Sequence, residues 1–209
     1  MKILGFLGSP RVNGKCSKLL KKALEGAESR GADTKIYDLI NFNIKHCTGC
    51  GNCFTKEPEL LIGKCSLKDD MVSILEEYIK ADGYIFASPV YDMFITALMK
   101  KFLERKIILT CRIKGEPIGL PTARSPANFK KMASMIVTGN AGDEYREVMG
   151  DPCFEAMEVH LLIEQVPTVD RFFVGGAEWL SDDTFSEKLN GVYQLGIRLV
   201  AEIEKAHET

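Results

Sequence analysis

The sequence predicts an α/β fold, a single doubly wound domain in which a parallel sheet is covered by helices on both faces. Three observations lead there. Short apolar runs suited to buried strands alternate along the chain with longer stretches of helical periodicity. The first strand is joined to the first helix by a tight, glycine-bearing loop. At 209 residues with 45% apolar side chains, the chain is long enough for one globular core and too apolar for a disordered one.

The elements follow in order. Lys2–Leu7 is rich in Ile, Leu and Phe, as a buried parallel strand should be. Over residues 17–30, Leu19, Leu20, Ala23, Leu24 and Ala27 recur at helical spacing, and Gly31 provides a stop. Residues 34–39 alternate as a second strand. Asp69 and Asp70 open a helix whose apolar face is Met71, Ile74, Leu75, Tyr78 and Ile79, with the acids favourably placed at its N-terminus. Residues 83–87 give a third strand, and residues 88–94 its exit loop. The pattern Ala97, Leu98, Lys101, Phe102, Arg105 is helical. Residues 115–131 hold Pro117, Pro121 and Pro126 and form a long loop. A fourth strand at 132–137, an exit loop at 138–142, a helix at about 145–163, a fifth strand at 165–174 and a helix at about 184–207 complete the chain. In such sheets ligands sit beyond the carboxyl ends of the strands, so the loops at 8–16, 88–95 and 138–143 should converge.

With 27 Lys and Arg against 29 Asp and Glu, a net charge of −2 exerts no uniform pull on phosphate backbones or acidic membranes. No apolar run approaches the roughly 18 residues that span a bilayer, and the first residues lack the apolar core of a signal peptide. A cytoplasmic protein that binds neither nucleic acid nor membrane is expected. In that reducing compartment the seven cysteines are poor candidates for structural disulfides, and their clustering points to metal or redox chemistry. Four lie between positions 47 and 65, whereas Cys16, Cys111 and Cys153 are scattered.

Residues 8–17, Gly-Ser-Pro-Arg-Val-Asn-Gly-Lys-Cys-Ser, join a strand to a helix N-terminus. Free N–H groups and the helix dipole favour an anion there. Arg11 and Lys15 add charge, Ser9 and Ser17 add hydroxyl donors, and the glycines let backbone approach a phosphate. An ordinary turn with solvated charges is the alternative. The spacing from Gly8 to Gly14-Lys15 is one residue too long for a P-loop, and Gly5, Gly8 and Gly14 do not make the dinucleotide fingerprint.

Cys47, Cys50 and Cys53 stand at C-x2-C-x2-C spacing, and Cys65 follows after eleven further residues. Three thiolates in one turn, loosened by Gly49 and Gly51, suit an iron–sulfur cube that takes its fourth ligand from further along. A zinc site more often presents two separated C-x2-C pairs, and a metal-free redox thiol set is the third possibility. His46 beside Cys47 fits a loop cap better than a ligand when four cysteines are at hand.

The Gly-Ser-Pro-Arg-x-x-Gly string, Ser88-Pro89-Val90-Tyr91 and the Lys101-Phe102-Leu103-Glu104-Arg105 that follows together resemble the NADPH-dependent FMN reductase branch of the flavodoxin-like proteins. The resemblance covers residues 1–110 well and the remainder loosely. It implies a five-stranded sheet of order 2-1-3-4-5 and a first loop that holds the FMN phosphate through Ser9, Arg11, Asn13, Gly14, Lys15, Cys16 and Ser17. It also implies that Pro89, Val90 and Tyr91, with Asp92 and Met93 after them, lie along the isoalloxazine, and that Thr138, Gly139, Asn140 and Gly142 lie at its pyrimidine edge. The chain departs from the family at Lys15-Cys16, where Asn then Ser or Thr is usual, and at Asp92-Met93-Phe94, where an aromatic and small residues are usual.

Within that group the cysteine triplet resembles the iron–sulfur flavoproteins of anaerobic archaea and bacteria. This implies a [4Fe–4S] cluster on Cys47, Cys50, Cys53 and Cys65, with a longer last gap than the compact motif. It implies a homodimer or homotetramer in which the cluster of one subunit serves the flavin of another. The expected function is an FMN-dependent oxidoreductase carrying electrons from ferredoxin or NAD(P)H to a small acceptor. No side chain is assigned as catalytic acid or base. The alternatives are an NAD(P)H-dependent FMN or quinone reductase without a cluster and a non-enzymatic flavodoxin-like carrier. The expected organisation is one domain over 1–209 with a cysteine-rich insertion at 45–68.

Overall fold

Period-two alternation along β1 (Lys2–Leu7) sends Leu4 and Phe6 to one layer of helices and Ile3 and Leu7 to the other. A strand buried on both faces must sit inside a sheet, and β1 pairs in parallel with β2 (Asp33–Asp38) on one side and β3 (Gly83–Tyr91) on the other. The computed structural model describes residues 1–55, 57, 59–111, 121–125 and 130–208. Between and after these strands lie α1 (Lys15–Glu28), the single turn α2 (Asn52–Thr55) and α3 (Met71–Tyr78). Then come β4 (Phe94–Ile95), α4 (Ala97–Arg105), β5 (Thr110–Cys111), β6 (Thr122–Ala123), β7 (Met132–Thr138), α5 (Asp151–Ile163), β8 (Thr168–Val174) and α6 (Asp182–Glu208).

The sheet runs β2-β1-β3-β7-β8, all parallel, with β4 folded back antiparallel on β3. The expected strand order 2-1-3-4-5 therefore holds for the five long strands. One face packs α3, α4 and α5 over an aromatic core in which Phe6 stacks on Tyr37, Phe86 and Phe102 at centroid distances of 5.3, 5.4 and 4.7 Å. The other face packs α1 and α6. Among the described residues no helix is long and apolar enough to cross a membrane.

Four sequence expectations change. The third strand does not stop at Ala87: it runs on to Tyr91 and turns back through Asp92 and Met93, so residues 88–94 are a hairpin rather than a simple exit loop. Asp92 and Met93 have φ of +48° and +62°, the left-handed pair that a two-residue hairpin turn needs. The helix expected from about 145 begins with a 3-10 turn at Asp143–Tyr145 and a π turn at Arg146–Gly150; the α-helix starts only at Asp151, with Pro152 in its first turn. The fifth strand begins at Thr168, three residues late, because Gln165 adopts a left-handed φ of +61° and Pro167 follows it. In the proline-rich stretch, Thr122 pairs with Cys111 and Ala123 with Thr110 as a small hairpin ladder; residues 112–120 and 126–129 lie outside the described residues.

Candidate functional site

Three of the predicted loops meet at the carboxyl ends of the strands, and specific bonds knit them together. Gly8 N donates to Ala87 O at 2.8 Å, Thr96 Oγ1 donates to Gly8 O at 2.5 Å, and Gly139 N donates to Val174 O at 2.9 Å. Pro89 and Thr138 are register partners on β3 and β7. The Cys16 thiol shares a hydrogen bond with Thr138, and burial pushes its pKa up to about 12, so it is a neutral thiol inside the fold.

The first loop ends at Gly14, the N-cap of α1. No side chain caps this helix and no acidic residue lies in its first turn, so its leading N–H groups have no capping side chain and no carboxylate within that turn. Ser9 and Ser17 are buried, and Ser9 Oγ accepts from Arg11 N at 3.1 Å. Asn13 is exposed. Arg11 pairs with Glu178 at 3.0 Å, while Lys15 Nζ lies 3.4 Å from Leu180 O and 4.3 Å from the centre of the Phe185 ring. Both cations thus rest against the segment that follows β8. On the hairpin, Pro89 is buried and Val90 half-buried; Tyr91, Asp92, Met93 and Phe94 are exposed. In the 138–142 loop, Asn140 Oδ1 accepts from the exposed indole of Trp179 at 3.0 Å, and Gly176 N donates to Ala141 O at 2.6 Å. No motif or periodicity marked the 175–180 segment, which closes this side of the rim.

The four clustered cysteines come together elsewhere. Cys47, Cys50, Cys53 and Cys65 all line one cavity of about 120 Å³, with Leu67, Ile107, Ile108 and Arg105 completing its wall. Gly49 and Gly51 adopt φ of +65° and +72°, so the turn between the thiols depends on backbone that other residues rarely adopt. Gly49 N donates to Cys47 Sγ at 3.4 Å, and Cys50 Sγ lies 3.7 Å from Ser66 Oγ. Bonds from the Asn52 backbone, then from Ser66 and Thr48, hold the Cys50 thiol below its usual range, favouring a thiolate at an exposed position. Burial, and after it the neighbouring Cys65, Cys47 and Cys50, pushes Cys53 upward. Among the described residues no group of three or more His, Cys, Asp or Glu side chains is set to hold a metal ion directly. His46 is exposed and is not part of the cavity wall.

Two arginines organise this segment. Arg105, with a side chain only 2% exposed, makes a two-pronged bond to Asp69 at 2.5 and 3.1 Å and donates to Lys45 O at 2.8 Å. Its Nη2 also approaches Cys65 Sγ at 3.6 Å. Glu104 beside it accepts from Cys47 N at 3.0 Å. Arg124, also buried, donates to four carbonyl oxygens, those of Thr110, Glu57, Leu60 and Cys53, at 3.0, 2.6, 2.9 and 2.8 Å. Arg105 had a visible signal, a charge three residues after Phe102 on the apolar stripe of α4. Arg124 had none, because it stands in the proline-rich stretch without periodicity.

The two sites occupy opposite ends of α4. Thr96 caps its first turn and holds Gly8, while Glu104 and Arg105 on its last turn hold the cysteine segment. The helix is nine residues long, about 13 Å of axis. The cysteine segment leaves the carboxyl end of β2, yet it packs along α4 and away from the phosphate-loop end.

Comparison with known proteins shows what the chain is similar to. An iron–sulfur flavoprotein of Archaeoglobus fulgidus is 39% identical over 107 residues, which make up 51% of this chain and 46% of that protein. An iron–sulfur flavoprotein of Methanocaldococcus jannaschii is 36% identical over 154 residues, 67% of this chain and 77% of its own. The chain spans about half the length of the first of these relatives. A solved flavone reductase superposes with a TM-score of 0.69 at 25% identity, over 99% of this chain and 64% of that one. Residues 1–150, from the phosphate loop through the cysteines to the π turn, match the family model of NADPH-dependent FMN reductases, and by that match the chain belongs to the NADPH-dependent FMN reductase family.

Proposed function

We propose that this chain is an FMN-dependent oxidoreductase that carries a [4Fe–4S] cluster on Cys47, Cys50, Cys53 and Cys65 and moves electrons from a reduced ferredoxin-like carrier to a small acceptor. The observation that carries the reading is the meeting of all four thiols, from two stretches eleven residues apart, around one 120 Å³ cavity. A single zinc ion would draw four sulfurs to about 2.3 Å from one point, whereas a cluster is held by sulfurs spread around its corners. The C-x2-C-x2-C spacing of Cys47, Cys50 and Cys53, with Cys65 following later, suits the latter. When bound, the two groups connect one-electron carriers with two-electron acceptors, because a flavin takes up a pair and a cluster passes single electrons.

The residues of the chain supply binding and orientation. The uncapped first turn of α1 and the guanidinium of Arg11 suit the dianionic phosphate of FMN, with Arg11 turning from Glu178 to meet it. Ser9, Asn13, Gly14, Lys15 and Ser17 complete that loop, with Cys16 supporting it from below. The hairpin from Pro89 to Met93 offers an apolar flank for the flavin ring, and Thr138, Gly139, Asn140 and Gly142 offer backbone groups at its polar edge. Leu67, Ile107 and Ile108 limit water around the cysteine cavity. The separation of the two sites along α4 favours a homodimer or homotetramer in which cysteines of one copy approach the flavin loop of another. We read the whole as one FMN-binding domain with the 45–68 segment as an insertion, working in the cytoplasm.

The family match also favours a second reading, an NAD(P)H-dependent flavin or quinone reductase whose cysteines hold no cluster. Anaerobic purification with iron, zinc, acid-labile sulfide and flavin counted together separates the two. The cluster reading expects about four iron and four sulfide per FMN. In Cys50→Ala, FMN stays and the broad visible absorption of the cluster goes; iron and sulfide retained in that variant would sink the ligand assignment.

A further inference from the structure

The buried Arg105 is more than a tie between strands of loop. Its Nη1 serves Asp69 and Lys45 O, and its Nη2 serves Asp69 with one N–H and Cys65 Sγ with the other, at 3.6 Å. Asp69 in turn accepts from Lys45 N at 2.8 Å and Met71 N at 3.2 Å, so the guanidinium cannot rotate away from the sulfur without breaking several bonds. Arg105 belongs to the wall of the cysteine cavity; Asp69 is not among the wall residues. The positive partner of the pair is therefore the one that faces the thiols. A cation as buried as the Arg105 guanidinium that donates to a ligand sulfur stabilises whichever state carries more negative charge.

We propose that Arg105 is a positioning residue that orients Cys65 as the fourth ligand and, by donating to its sulfur, raises the reduction potential of the cluster. The inference rests on the cluster reading above and adds to it a residue outside the cysteine motif. It also explains why a fourth ligand after so long a gap is held in register: the last turn of α4 grips the start of the segment through Lys45 and Cys47 and its end through Cys65.

Two measurements test it. Wild-type protein grown with nitrogen-15 arginine and reduced anaerobically should show, by pulsed EPR, a weak arginine nitrogen coupling to the cluster, which Arg105→Lys removes. Its absence from the iron-loaded wild type, or its persistence in the variant, overturns the proposal. Potentiometric titration should place Arg105→Lys, and the charge-neutral pair Arg105→Gln with Asp69→Asn, at a reduction equilibrium shifted about tenfold or more toward the oxidised form, which is about 59 mV downward. An unshifted potential at full iron occupancy also overturns it. If the Arg105 variants fail to fold or load, labelled Arg124→Lys, which removes the other guanidinium beside a cysteine, decides: a coupling that persists there supports Arg105, and one that is lost overturns the proposal. Wild-type protein with flavin but without iron and sulfide overturns the cluster reading itself, and this proposal with it; iron-loaded wild type without the arginine coupling overturns only the role of Arg105.

Discussion

Arg124 Nη2 donates to the carbonyl oxygen of Cys53 at 2.8 Å, a bond between residues 71 positions apart. The same guanidinium serves the carbonyls of Glu57, Leu60 and Thr110. Removing it leaves buried acceptors without a donor, at about 1–3 kcal/mol for each one that water does not reach. Arg124→Met should therefore lower stability by about 3 kcal/mol or more, with the loss concentrated in the cysteine segment. Hydrogen exchange followed by mass spectrometry checks this: faster exchange in peptides covering 52–65 is expected, with β1 and β7 unchanged. Uniform acceleration across the sheet would contradict a local role.

Arg11 is paired with Glu178 while about half exposed, a pairing of little worth at a surface, so little opposes its transfer to a phosphate. Arg11→Ala should weaken FMN binding about tenfold, about 1.4 kcal/mol. Flavin fluorescence titration reads it. Lumiflavin, which lacks the phosphate, is expected to bind both forms alike, and an unchanged FMN dissociation constant would remove Arg11 from the site.

Asp92 and Met93 hold left-handed φ at the hairpin tip, a conformation costing non-glycine residues about 1–2 kcal/mol. Asp tolerates it better than most, whereas a β-branched residue tolerates it worst. Met93→Val should lower the melting temperature more than Met93→Gly. Equal melting temperatures would show that the turn carries no such strain.

His160 on α5 is pushed down to about 4 by burial, and further by the charges of Lys106 and Lys100. Above pH 6.5 it is neutral whether folded or unfolded and contributes nothing to pH dependence. Between pH 6.5 and about 4 the unfolded chain takes the proton first, so stability falls as pH falls through that window. Asp69 and Asp143, held below their ordinary 3.8 with Arg105 and Lys188 as charge partners, add losses only at lower pH. Urea titrations from pH 7 to 4 should show the decline in wild type and a flatter line in His160→Gln; parallel curves would rule out His160 as its source.

What the sequence disclosed and what it hid have physical reasons. β1 and β7 are apolar on both faces, and a run such as Ile3 to Leu7 has few other places to go. The extension of β3 through Pro89 was hidden because proline normally ends a strand; here the chain goes on to pair Val90 with Ile95 across a tip that needs two left-handed residues. The π turn before Asp151 has no periodic signature. The cysteine spacing announced sulfur chemistry directly, since ligand sets are local in sequence. Its supports were not: Asp69 and Arg105 meet across 36 residues, and Arg124 reaches Cys53 from a stretch without pattern.

The nine residues of α4 act as a gauge between its two ends. A residue inserted anywhere between Thr96 and Arg105 would turn the last turn by about 100° and advance it about 1.5 Å. The guanidinium would swing off Cys65 while the hydroxyl of Thr96 still held Gly8. Substitutions along the exposed side of this helix should be tolerated, but insertions and deletions should not, so its length is a more sensitive mark of a working chain than its composition.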